Sequence, residues 1–132
     1  MDARLALIKK LQGHPELTYV ELPGKIRIEA PTPYGFAVEL HGAVNEWTVY
    51  LGEAGYHETF STSDEVLNFI AWCYSGEARI REIWRGNWPQ KVILEALQGG
   101  QWLEDAETGY FFVPFWLPRR EILRTNPNLL RD

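Results

Sequence analysis

Apolar residues recur along this chain with two periods, and the switches between them predict its elements. In DARLALIKKLQG, Leu5, Ile8 and Leu11 fall at helical spacing with Leu7 beside them. Lys9 and Lys10 sit in the last turn, and Gly13 then Pro15 stop the helix. Three runs then alternate strictly. Ile26, Ile28 and Ala30 oppose Lys25, Arg27 and Glu29; Phe36, Val38 and Leu40 oppose Ala37, Glu39 and His41; Trp47, Val49 and Leu51 oppose Glu46, Thr48 and Tyr50. Period-two alternation of this kind marks half-buried antiparallel strands, and the turns APTPYG and HGAVNE are short enough for neighbours to pair. YHETFST continues the series with Tyr56 and Phe60 inward. Glu58 shares their face, which calls for a bulge or a partner.

Thr62 to Glu65 (TSDE) reads as a capping box ahead of Val66, Phe69, Ile70 and Cys73 at helical spacing, with Gly76 closing that helix. EARIREIW reads as a further strand. NWPQKVILEALQGG reads as a third helix, with Asn87 as N-cap, Pro89 in the first turn and the diglycine as its stop. QWLEDAETGYFFVPFW reads as a closing hairpin that turns near Glu107, Thr108 and Gly109, with Pro114 at the end or edge of its second strand. The expected architecture is α+β: a single domain over residues 1–118 and a polar tail over 119–132 that opens with a helical turn. The domain is expected to be one twisted, mostly antiparallel sheet of about five to seven strands. Two or three helices cover one face and leave the other partly open.

Composition narrows this picture. A chain of 132 residues fits one domain, and its content of aromatic residues, 14%, is enough to offset ordering by burial. The single cysteine, Cys73, excludes an internal disulfide framework and a multi-cysteine zinc site, and its helical apolar setting makes it a buried hydrophobe. An acid at position 2 and lysines after the apolar residues are the wrong order for a secretory signal. No apolar run reaches the length of a membrane span, so a cytoplasmic protein with no membrane partner is expected. The net charge of −5 is uneven: residues 1–66 hold ten acids and five bases, residues 67–132 eight of each.

Candidate chemistry concentrates in two places. In RIREIWRGNW, a strand puts Arg79, Arg81 and Arg85 on one side, opposite Ile80, Glu82 and Trp84. Such a row either tracks phosphates beside stacking aromatics or pairs with carboxylates across the ladder. Glu29, Glu39 and Glu46 on the open face favour pairing, and nucleic-acid binding through the three arginines remains the alternative function. In GYFFVPFW, Tyr110 and Phe112 share a face, and Trp116, Arg119 and Arg120 follow, residue types that dominate protein interfaces. A third reading is a small-molecule enzyme with Glu58 and His41 or His57 in a cleft, although His57 and Glu58 as strand neighbours point to opposite faces. No serine-nucleophile elbow, phosphate-cradling glycine loop, dinucleotide fingerprint or zinc-protease motif occurs, and no catalytic residue, metal ligand or cofactor is assigned. The expected function is therefore a non-enzymatic binding protein of the inhibitory or accessory type. It binds another protein, or a second copy of itself, through Arg79, Arg81, Arg85, Tyr110, Phe112, Trp116, Arg119 and Arg120.

Overall fold

The computed structural model describes residues 2–43, 46–110 and 113–130. Helix α1 (Ala3–Gln12) opens the chain, and strands β1 (Tyr19–Leu22), β2 (Lys25–Ile28), β3 (Val38–Ala43), β4 (Glu46–Leu51) and β5 (Tyr56–Phe60) follow. Helix α2 (Ser63–Cys73) then leads to β6 (Ala78–Arg85), β7 (Trp88–Gln98), β8 (Gln101–Gly109) and β9 (Arg119–Thr125). The arrangement is of the α+β kind, but the single sheet expected from the alternation is two. Strands β1 to β5 form one antiparallel meander; β6 to β9 form a second antiparallel sheet in the order β8-β7-β6-β9. Alternation reports which strands are half-buried and which neighbours pair. It carries no information on whether the chain, after a helix such as α2, rejoins the old sheet or begins another.

The first sheet follows the sequence pattern. Ile26 pairs with Leu40 and Leu40 with Val49, so the apolar residues of three strands stack on one face. They join Leu7 and Leu11 of α1, Val66 and Ile70 of α2, and Ile80 and Leu94 of the second sheet in one buried cluster. Both helices are capped as their sequences require. Asp2 accepts from the backbone N–H of Arg4 at 2.9 Å, and the Thr62 hydroxyl accepts from that of Glu65 at 3.2 Å while donating to the Glu65 carboxylate at 2.8 Å. Strand β1, whose Tyr19 and Glu21 oppose Val20 and Leu22, is an edge strand not foreseen from the pattern.

The second sheet departs from the sequence reading in three places. Residues 88–98 are strand β7 and not a third helix. Four consecutive residues, Val92 to Glu95, are buried, so the strand is covered on both faces and loses the alternation that marks half-buried strands. The diglycine is then a hairpin turn: Gly99 and Gly100 both take positive φ, +58° and +78°, as a two-residue turn between twisted strands demands. The stretch QWLEDAETG accordingly forms one strand, β8, and the turn expected near Glu107 does not occur. Beyond it Tyr110 and Val113 to Trp116 lie outside any strand, so GYFFVPFW is not the second arm of a hairpin; Phe111 and Phe112 lie outside the described residues. Finally, the segment read as a polar tail with a helical turn supplies β9, which pairs with β6 over its whole length.

That last strand is held by a buried amide. Asn126, fully buried, accepts from the Phe36 N–H at 2.8 Å and donates to the carbonyls of Phe36 at 3.1 Å and Cys73 at 3.2 Å. Its side chain thus links the approach to β3, the end of α2 and the chain leaving β9. Asn126→Ala is expected to lower unfolding stability in urea by about 2–4 kcal/mol, because three backbone groups lose a buried partner together. A methyl at Gly35 would run into the same amide oxygen, so Gly35→Ala and Asn126→Ala should be less than additive in the double variant. Full additivity, or a loss below about 1 kcal/mol for Asn126→Ala, would show that the amide does not fasten these segments.

Candidate functional site

The arginines of β6 do not behave as one row. Arg79 donates through Nε and Nη2 to Glu95 Oε1, both at 2.7 Å, and lies 4.5 Å over the Trp102 ring. Arg81 stands 3.2 Å from Glu121. On the neighbouring strand Lys91 pairs with Glu107 at 2.9 Å. Middle and far positions of this face are therefore neutralised across the ladder, with Glu95 almost wholly buried under its guanidinium. These arginines also stand apart from Glu29, Glu39 and Glu46, which belong to the other sheet.

Arg85 differs. It ends β6, where its cross-strand partners are Trp88 on one side and Arg119 on the other, and its Nε donates to the neutral Gln90 at 2.9 Å. Arg120, across from Trp84 on the other face of the sheet, donates to the Gly86 carbonyl and lies 5.7 Å from the Trp84 ring. Among the described residues none of Arg85, Arg119 and Arg120 meets a carboxylate. Strand order explains what else collects here. Since β8 and β9 are opposite edges of the sheet, the chain between them must cross the end at which β6 finishes and β7 begins. The crossing is fastened where the Gly86 N–H donates to Pro118 at 3.0 Å and Leu117 covers Gly86, whose φ of +60° already calls for glycine.

On this crossing Phe115 and Trp116 are 71% and 73% exposed, edge to face with centroids 5.4 Å apart, and Trp88, two residues past the Gly86 that Leu117 covers, is 57% exposed. Tyr110 adjoins the same end: its N–H donates to the Gln90 carbonyl at 3.0 Å and its hydroxyl donates to the Ala54 carbonyl, tying the crossing to the first sheet. Gln90, Lys91, Gly109 and Tyr110 line a shallow groove of 360 Å³ next to it. Of the residues singled out from sequence, Arg85, Tyr110, Trp116, Arg119 and Arg120 come together here. Arg79 and Arg81 are elsewhere on the sheet and spoken for, and Phe112 lies outside the described residues. Trp88 and Phe115 were not singled out. The sequence signal for Trp88 is the proline after it, which suits the first residues of a strand as well as those of a helix.

The open face of the first sheet is a different environment. Arg27 spans Glu29 at 3.0 Å and Glu39 and Glu53, both at 2.7 Å. Lys25 and His41 also reach Glu39, and His41, Tyr50 and His57 line up ring beside ring across β3, β4 and β5 at 4.6 and 5.2 Å. Partial burial would raise the Glu39 pKa, but the hydrogen bonds from His41 and Arg27 and the charges of Lys25 and Arg27 outweigh it and hold it below the usual carboxylate value. Glu58 lies on the opposite, inward face of β5. Desolvation pushes its pKa up, outweighing its neighbour Tyr56, and the charge of Asp105 adds to the rise. His41 and His57 thus stand on one side of the sheet and Glu58 on the other, so the structure does not bring the acid and either histidine into one cleft. Cys73 is fully buried, and burial raises its thiol far above the ordinary range, so it is no nucleophile.

These two carboxylates predict opposite pH signatures. A raised pKa in the folded state means Glu58 favours folding least above that pKa. Glu58→Gln should therefore be more stable than the wild type at neutral pH, the gap narrowing as pH falls through the raised folded pKa and gone by about pH 4. A lowered pKa means Glu39 contributes stability above its unfolded value, lost as pH falls through the folded one. Glu39→Gln should be less stable at neutral pH and indistinguishable in acid. Thermal unfolding followed from neutral pH into acid checks both, and a shared direction would contradict the assignment. The functional reading rests on this geometry, since no family model, curated protein or solved structure matches the chain.

Proposed function

We propose that the protein is a non-enzymatic binding protein of the cytoplasm, of the accessory or inhibitory type, whose docking surface is the end of the second sheet. The observation that carries this reading is the coincidence of exposed Phe115, Trp116 and Trp88 with three guanidiniums that no carboxylate among the described residues neutralises. Large aromatic and arginine side chains contribute most of the energy of recognition surfaces, and here they surround one crossing segment. Leaving such rings in water forgoes the gain of burying them, so the arrangement is costly unless a partner covers it. The surface favours a partner that is anionic and also accepts apolar rings. Nucleic-acid binding along Arg79 and Arg81 is the weaker reading, because both side chains are already engaged by Glu95 and Glu121. An acid–base cleft built on Glu58 is weaker still, given the separation of Glu58 from both histidines.

An anionic naphthalene sulfonate dye combines the two chemistries and is a direct probe of this end. The native protein is expected to enhance its fluorescence, and the Phe115→Ser/Trp116→Ser variant to lose most of that signal. The variant's melting temperature should stay within about 2 °C of wild type, since the removed rings are exposed. Equal dye binding by both proteins would place the docking surface elsewhere. A variant that no longer folds would make the rings core, against this reading.

A further inference from the structure

We infer that the partner met by this end is an anionic lipid bilayer, touched at its surface by the crossing segment. The inference rests on the reading of that end as the docking surface. From Val113 to Pro118 the segment carries no charged side chain, its one polar side-chain group is the Trp116 indole N–H, and its tip presents Phe115 and Trp116 outward. Its backbone is partly satisfied from within: the Phe115 N–H donates to Val113 at 2.8 Å and the Leu117 N–H to Pro114 at 3.0 Å, while Pro114 and Pro118 have no N–H to satisfy. Backbone groups without partners are what keeps irregular segments out of hydrocarbon, so a self-bonded, proline-rich turn enters the interface at reduced cost.

Three further features fit a bilayer better than other anionic partners. The two rings stand at 80° to each other, an edge-to-face pair that projects as a wedge. A platform for successive bases offers ring faces to stack on, and this pair does not. The rings also project from the end of a sheet, and a fluid interface accepts a wedge without a pocket of matching shape. Arg85 and Arg119 are cross-strand neighbours at this end, and Arg120 follows on the opposite face of β9, so that long cationic side chains flank the segment on both faces of the sheet and can reach phosphate groups while the rings lie deeper. No described helix is long and apolar enough to cross a membrane, and the contact inferred is with the surface alone.

The test is co-sedimentation of the full chain with phosphatidylserine vesicles and with pure phosphatidylcholine vesicles. Wild type is expected to sediment with phosphatidylserine at low salt, to bind phosphatidylcholine far more weakly, and to be released as salt rises. Arg85→Gln/Arg119→Gln/Arg120→Gln should lower the phosphatidylserine affinity roughly a hundredfold and abolish its advantage over phosphatidylcholine. Phe115→Ser/Trp116→Ser should weaken binding to both lipids. If phosphatidylserine vesicles fail to sediment a wild-type protein that still binds the sulfonate dye, the bilayer is overturned and the docking surface belongs to an acidic protein or a second copy. Loss of both signals in the wild type would remove the docking reading as well. Vesicle binding that both variants retain would assign the membrane contact to another surface and overturn the inference.

Discussion

A single buried carboxamide decides where the last third of the chain can lie. Asn126 takes one backbone donor and gives two hydrogen bonds, to Phe36 and to Cys73, from a position with no access to water. Around it the Thr125 N–H donates to Tyr34 at 2.9 Å, and the N–H groups of Leu129 and Leu130 both donate to Tyr74. Unmet, these groups would each carry a desolvation cost, so the register of β9 against β6 is narrowly determined. The consequence reaches the opposite end of the strand. With β9 fixed at one edge and β8 at the other, the end of β8 and the start of β9 both lie where β6 finishes and β7 begins, and Leu117 packs there on Gly86, between Arg85 and Trp88. The make-up of this end is thus a product of strand order, set by an interaction at the far end of the same strand.

Edge strands impose a second constraint. Every outer strand of the two sheets carries a charge on its inward side or at a bulge. Glu21 on β1 shares a face with Ile26, Glu58 on β5 with Val49, and Arg120 and Arg124 on β9 with Trp84 and Ile80. On β8 the register slips between Leu94 and Glu95, leaving Asp105 without a cross-strand partner. Inward charges and bulges are the devices by which sheets avoid pairing edge to edge. Recognition by adding a strand is disfavoured at all four edges, and side chains at an end of a sheet are left as the means of contact. Glu82 shows the same economy inside: 1% exposed, it receives the Trp84 indole at 3.2 Å and Arg124 at 2.9 Å, so the inward charge of β9 is compensated where it lies.

How much of this was legible in the sequence follows from the same physics. The first sheet was legible because Ile26, Leu40 and Val49 alternate with polar neighbours, and its helices because Thr62 and the apolar spacing after it leave little choice. Strand β7 was not, because Val92, Ile93 and Leu94 are buried on both faces, and a continuous apolar run with a proline at its start has no period to read. The diglycine serves equally well as a helix stop and as a hairpin turn, and only the partner strand distinguishes them. Strand β9 was hidden by four charges in seven residues, the usual mark of a solvated tail and also of a guarded edge. Of the candidate site, the residue types were legible and the grouping was not. Arg79 and Arg85 look alike six positions apart, and what separates them is that Glu95 stands across from one and Trp88 from the other.

Net charge is a poor guide to what such a molecule approaches. On the first sheet's open face Glu29, Glu39, Glu46 and Glu53 outnumber Lys25 and Arg27, and Arg27 is already shared among three of them. At the end of the second sheet the balance is reversed. Salt screens these charges beyond about 8 Å, so a surface that comes close to one end senses that end and little of the remainder. An anionic partner is therefore repelled weakly at distance by the whole chain and attracted strongly at contact by the arginines of that end. On the proposed reading, this charge distribution selects the approach by orientation, with the aromatic tip leading, and the acidic face of the first sheet disfavours the other orientations.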